Sequence, residues 1–276
     1  MQIDAHQHFW HPRRGDYGWM PADDPILSRP YTPAVLWPQL QAAGIAGTVL
    51  VQAAPTVAET EYMLGIADAT PWVRGVVGWV DFEDAGQAAT LRRLAGHRGF
   101  KGVRPMIQDL PDDAWMHRTD VQWAYGALID HDLSFDALGF PRHLAHFLAL
   151  LRRYPAMRVV VDHCMKPEIH GHPAGFDHWA AGMARIAGET HAFCKFSGLI
   201  NEAGPDWRLD DLRPYADHII SVFGAERVMW GSDWPVCRLR GEYADWHSAA
   251  LALTAHLPVA ERSAIFGDTA RKFYRL

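Results

Sequence analysis

The 276-residue chain is poor in the features that would place it outside ordinary enzymes. It has three Cys, Cys164, Cys194 and Cys237, with no CxxC spacing between them. In a chain this long that argues against a disulfide framework and for a reducing cytoplasm. No apolar run approaches the ~18 residues of a membrane span. The N-terminal MQIDAHQHFW has neither the basic nor the apolar region of a signal peptide, so a membrane role is not expected. Positive charge is not in excess: the net charge is −6, and no basic stripe of the nucleic-acid-binding kind is present. Low-complexity tracts and internal repeats are missing. So are a GxGxxG after the first strand, a P-loop, a GxSxG elbow and an HExxH helix. Dinucleotide binding, serine-nucleophile catalysis and zincin chemistry therefore lack support.

What is present is a large core and many polar aromatics. Hydrophobic residues make up 49% of the chain and charged residues 21%, and there are 16 His and 12 Trp. Each buried Trp needs a partner for its N–H, and Trp in a cleft supplies rigid walls. Short β-branched runs alternate with helical stretches. Strands are expected near Gln2–His8, Thr48–Ala53, Val73–Val80, Lys101–Pro105, Leu133–Leu138, Arg158–Cys164, Phe193–Leu199 and Arg227–Asp233. Between them, Thr32-Pro33 reads as a helix start and Gly44 as its stop. PRHLAHFLALLRRY at 141–154, Leu209–Phe223, Ala244–His256 and Val259–Leu276 read as further helices. Eight strands alternating with helices is the pattern of a (β/α)8 TIM barrel of the α/β class, which typically needs about 250 residues. A doubly wound sheet ranks below it, and residues 1–276 are expected to form one domain. The polar, aromatic stretch His11–Arg29 after the first strand would then lie over the catalytic mouth.

Candidate chemistry collects at the strand ends. His6 and His8, two apart on a strand, should face the same way, with Asp4 below them. Paired imidazoles inside a barrel suit metal ligation or hydrogen bonding to a substrate. Asp233, in Gly231-Ser232-Asp233, brings a carboxylate to the edge that is the active face in barrels. His163 ends Val159-Val160-Val161-Asp162-His163, and alternation groups it with Val159 and Val161. Arg104, at the end of Lys101-Gly102-Val103-Arg104, could bind a substrate oxygen or carboxylate. Lys195, inside a β-run, must be either paired or facing the mouth. Lys166 is a weaker candidate, and Cys194 reads as structural.

Taken together, IDAHQHFW (3–10), KGVRPMIQD (101–109), VVVDHCMKP (159–167), CKFSGL (194–199), WGSDWPV (230–236) and the terminal FGDTARKFYRL resemble the amidohydrolase superfamily. The likeness is to its amidohydrolase-2 branch of sugar-lactone and pyrone-dicarboxylate lactonases, L-fuconolactonase-type enzymes above all. It spans the chain in order. The resemblance implies a distorted barrel with His6 and His8 on strand one, His163 on strand six and Asp233 on strand eight. Metal-dependent members usually carry a Lys or Glu on strand four and a His on strand five. This chain offers Arg104 and no strand-five His, which argues against a two-metal site. One Zn²⁺ on His6, His8 and Asp233, with or without His163, is left open, and no organic cofactor is implied.

The implied reaction is opening of a lactone ring, most simply a neutral sugar lactone such as L-fuconolactone, in carbohydrate metabolism. Asp233 would act as general base, with His6, His8 and His163 stabilising the oxyanion. Arg104, Trp10, Trp79 and Lys195 would hold the substrate. Two alternatives remain beside it: a metal-dependent decarboxylase of aromatic or semialdehyde acids, and a non-catalytic sugar-acid binding protein. The partner expected is a small-molecule lactone, and a homodimer is left open.

Overall fold

The computed structural model describes residues 1–171 and 175–276. Eight parallel strands form one sheet in sequential order: β1 (Gln2–Gln7), β2 (Ile45–Val51), β3 (Val73–Gly78), β4 (Phe100–Val103), β5 (Ser134–Ala137), β6 (Arg158–Val161), β7 (Phe193–Phe196) and β8 (Val228–Trp230). Closure is made just beyond β8. Asp233 N donates to His6 O at 2.8 Å, His8 N donates to Trp234 O at 2.7 Å, and Gln7 bridges Trp234. The result is a nearly closed (β/α)8 barrel, the fold expected from the pattern of strands and helices.

Helices α1 (Pro33–Ala43), α2 (Val57–Ala69), α3 (Ala88–Ala95), α4 (Gln122–Asp130), α5 (Leu144–Arg153), α6 (Phe176–Glu189), α7 (Leu199–Ala203), α8 (Leu209–Phe223), α9 (Tyr243–Leu253), α10 (Val259–Ser263) and α11 (Thr269–Tyr274) flank it. Gly44 stops α1 in the left-handed region, at φ 70°, as expected, but the Thr32 side chain makes no capping bond. The expected helix Val259–Leu276 is interrupted by a π-turn at Ala264–Asp268. That turn brings Gly267 so close to Met1 O that a Cβ there would collide with it. Among the described residues no helix is long and apolar enough to cross a membrane.

Inside the barrel, Ile3, Ala5, Val49, Val51, Val77, Val160 and Met229 pack with Ala270, Phe273 and Tyr274 of α11. The C-terminal tail is tied to the first residues of β4 and β6: Lys101 donates to Arg275 O and Arg158 to Phe273 O. It therefore seals the N-terminal end of the barrel, and the polar strand ends are left at the other. All eight expected strands are present, but each stops one to three residues before its expected end. At those ends the backbone leaves the ladder to aim polar side chains, with φ of 51° at His163 and 56° at Asp233.

Candidate active site

Strand β1 delivers the two imidazoles through an irregularity. Its register with β2 slips between Asp4 and Gln7, where three residues of β1 pass two of β2. The extra residue breaks strict alternation, so Ala5 belongs to the interior cluster while His6 and His8 also face inward. Asp4 is therefore not beneath the histidines. It accepts from Ser232 N at 2.8 Å and from the Tyr243 hydroxyl at 3.2 Å, stitching β1 to the segment that carries Asp233.

Alternation also mislocates His163. The inward residues of β6 are Val160 and then Asp162, so regular strand geometry would turn His163 away. Four successive left-handed residues, His163–Lys166, swing its ring back. Two buried Trp hold the turns that carry the site. Trp179 Nε1 donates to Cys164 O at 2.7 Å, and Trp246 Nε1 to Gly231 O at 2.9 Å.

Four side chains converge at the mouth. Asp233 Oδ1 lies 3.3 Å from His8 Nε2, 3.7 Å from His6 Nε2 and 3.8 Å from His163 Nε2. His6 Nε2 and His8 Nε2 are 3.2 Å apart. Asn201 Nδ2 donates to the other carboxylate oxygen at 3.3 Å. His8 Nδ1 lies 2.7 Å from Val51 O, a contact in which only the imidazole can donate, so in neutral His8 the lone pair is on Nε2. His163 Nδ1 pairs with Ser197 Oγ at 2.9 Å.

Burial lowers the pKa of all three histidines, and His163 falls to about 4. They are neutral at pH 7. Burial pushes Asp233 up, but at the acidic pH where it would take a proton the protonated rings of His163, His8 and His6 beside it outweigh that. Its carboxyl ends well below the usual carboxylate range and is ionised.

Beneath His6 lies a second, fully buried layer that sequence reasoning did not assemble. Lys195 Nζ donates to Asp136 Oδ2 at 2.6 Å and to His6 Nδ1 at 3.0 Å, and forms an ion pair with Asp162 Oδ1 at 2.9 Å. Asp136 also accepts from the Tyr274 hydroxyl and from Ser134 Oγ. Asp162 pairs with Arg104 at 3.4 Å, and Arg104 Nη1 stands 3.4 Å from His6 Nε2. Burial raises the Asp162 carboxyl, but Lys195, His6 and Arg104 bring it well below its ordinary value, whereas Asp136 stays raised by burial. Of the two readings for Lys195, paired is the one observed, and its place is under His6 rather than at the mouth. Asp162 and Asp136 were legible in principle: each is an acid in an apolar strand, and each demands a cation.

A cavity of about 270 Å³ opens over this cluster. His8, His163, Asp233, Arg104 and Trp10 line it, and Trp19 and Leu27 roof it from the loop expected there. His6 lies behind them, wholly buried. Trp79 lines a neighbouring cavity instead.

His6, His8 and Asp233 form one buried group able to hold a metal ion. The separations of 3.2–3.7 Å among His6 Nε2, His8 Nε2 and Asp233 Oδ1 approach the ~3.3 Å edge of a tetrahedral shell with Zn–N bonds of about 2.0 Å. The His8 lone pair facing the Asp233 carboxylate is a contact that a cation relieves. His6 can free its own Nε2, because Asp162 Oδ1, 3.6 Å from Nδ1, accepts the proton of the other tautomer. The residues therefore fit one Zn²⁺, although the Arg104 guanidinium puts positive charge beside it.

Comparison with known proteins places this architecture. A family model described as amidohydrolase matches residues 3–276. The L-fucono-1,5-lactonase of Burkholderia ambifaria is 41% identical over 280 residues, covering 100% of this chain and 96% of its own. That of Burkholderia multivorans is 36% identical over 290 residues, with the same coverage. The crystal structure of an amidohydrolase from Burkholderia multivorans with bound zinc superposes with a TM-score of 0.93 at 35% identity, covering 100% of this chain and 99% of that one.

Proposed function

The chain belongs to the amidohydrolase family, and from that premise we propose that it is a lactonase opening a neutral sugar lactone of the L-fucono-1,5-lactone class. The observation that carries the reading is the Asp233 carboxylate set beside His8 and His163 at the floor of the cavity over the barrel mouth, in a chain whose full-length relatives are named for that reaction. In the proposed mechanism the lactone carbonyl sits over His163 and Asp233. Asp233 takes a proton from water as the water oxygen bonds to the carbonyl carbon. Ser197, donating to His163 Nδ1, leaves the proton of His163 on Nε2, where it receives the developing oxyanion. The tetrahedral intermediate then collapses, the ring C–O bond breaks, and Asp233 returns its proton to the departing ring oxygen. One carboxylate serves in both directions, because an alkoxide is a better leaving group than an amide nitrogen. His6, held from below by Lys195, orients this array.

Among the described residues lining the cavity, Arg104 and Lys166 are the only lysine or arginine side chains, and Arg104 is already paired with Asp162. That supports a neutral sugar lactone over a dicarboxylate. A Zn²⁺ on His6, His8 and Asp233 would supply Lewis-acid polarisation of the carbonyl. The decarboxylase reading wants a strand-five His, where this chain has Asp136, and the relatives do not favour it. A binding protein would not need an ionised base beside imidazole donors. The test is a lactone panel followed with a pH indicator, with and without chelator. Acid release that depends on Asp233 supports the reading, and absence of release from every sugar lactone refutes it.

A further inference from the structure

A second cavity, about 430 Å³, adjoins the catalytic one, and Trp19, Met106 and Asp109 line both. Its walls are aromatic: Trp19, Trp79, Phe82 and Trp115. Three of them are also fixed in place. Trp115 Nε1 donates to Glu83 at 2.7 Å, Trp19 Nε1 donates to Ala53 O, and the Phe82 and Trp115 rings stack at 25°. Its charged groups are all acidic. No Lys, Arg or His among the described residues lines it, and Asp81 and Asp109 stand at its edge. Each of these two uses Oδ1 on a local donor and has no protein partner for Oδ2 among the described residues.

This combination selects a ligand chemistry. Asp16 and Glu83 are paired with Arg14 and Arg118, whereas Asp81 and Asp109 have no cation among the described residues and repel anions. Flat aromatic walls pack against the C–H faces of a ring, and free carboxylate oxygens accept hydroxyl protons. A neutral pyranose satisfies all three, whereas a purely apolar group would leave Asp81 and Asp109 facing hydrocarbon. Resting on the lactonase reading above, we infer that the second cavity is a subsite for a second sugar ring. The enzyme then acts on lactones that carry a glycosyl substituent, the kind formed when the reducing end of a disaccharide is oxidised. The lactone occupies the smaller cavity over Asp233, and the substituent passes between Trp19 and Asp109 into the larger one.

The experiment separates binding from turnover. Asp233→Asn protein is titrated calorimetrically with a one-ring aldonolactam, whose ring water does not open, and with glycosylated lactams of each linkage position. Wild type is assayed on the matching lactones. For at least one linkage the second ring tightens binding by about tenfold or more and raises kcat/KM in parallel. Leu110→Trp fills the second cavity from a half-buried position and removes that gain, leaving kcat/KM on the one-ring lactone within about twofold. Asp81→Ala reduces the gain without adding bulk. Equal affinity for one-ring and two-ring lactams at every linkage overturns the subsite, as does a gain that survives both substitutions. If the two-ring lactam binds tighter but no lactone is hydrolysed, the subsite stands and the lactonase reading falls.

Discussion

Replacing Lys195 with Met removes one cation from a wholly buried cluster while keeping the length of the side chain. Lys195 Nζ lies within 3.0 Å of Asp136, Asp162 and His6, and the Lys195, Asp136 and Asp162 side chains have no solvent exposure. After substitution Asp162 keeps Arg104, at 3.4 Å, and Asp136 keeps only the hydroxyls of Tyr274 and Ser134. Removing one partner of a buried ion pair costs about 3–5 kcal/mol. Burial already raises the Asp136 carboxyl, so it can take up a proton and shed its charge, which puts the expected loss near the lower end. For a domain of this size, at about 1.7 °C per kcal/mol, that corresponds to a fall in Tm of roughly 5–7 °C.

The assay is thermal unfolding of Lys195→Met, of Asp136→Leu and of the double variant. The double variant should be markedly more stable than the sum of the single losses predicts, because it leaves no unpaired carboxylate at Asp136. Turnover measured well below Tm should also fall, since His6 loses the donor to its Nδ1. A stability change under about 1 kcal/mol, or strict additivity in the double variant, would show that the buried cluster is not the electrostatic unit described here.

Asp233→Asn should lower kcat by about 10²–10⁴-fold and shift Tm little, since Asn keeps the shape while losing the base; near-normal turnover would remove Asp233 from the mechanism. The pH profile of kcat/KM should stay flat from 7 down to about 5. Asp233 is held below its ordinary 3.8 and His163 gains a proton only at about 4, so the acid limb lies well under the ordinary imidazole value of 6.5; a descending limb centred near 6.5 would contradict this. Zinc content measured by elemental analysis should approach one per chain after loading and fall on His8→Ala. With Arg104 beside the ligand atoms, a chelated enzyme should retain most of its turnover, whereas complete loss restored by Zn²⁺ would transfer carbonyl activation to the metal.

The sequence alone determined the alternation of strands and helices, and with it the barrel, because β-branched runs and helix stops are local signals. It also determined that His6, His8, His163 and Asp233 lie at strand ends, because motif order and strand ends are one-dimensional. Only the tertiary structure decided which way those side chains point. Strict alternation would have put Asp4 with the histidines and turned His163 outward, and a one-residue register slip in β1 and four left-handed residues after β6 reversed both. Neither leaves a sequence signal, because backbone irregularities at a barrel mouth are held by distant partners such as Trp179 and Trp246. The Lys195–Asp136–Asp162 cluster was beyond sequence reasoning for a related cause. Three strands and α11 contribute to it, and each buried charge is intelligible only when its counter-charge is in place.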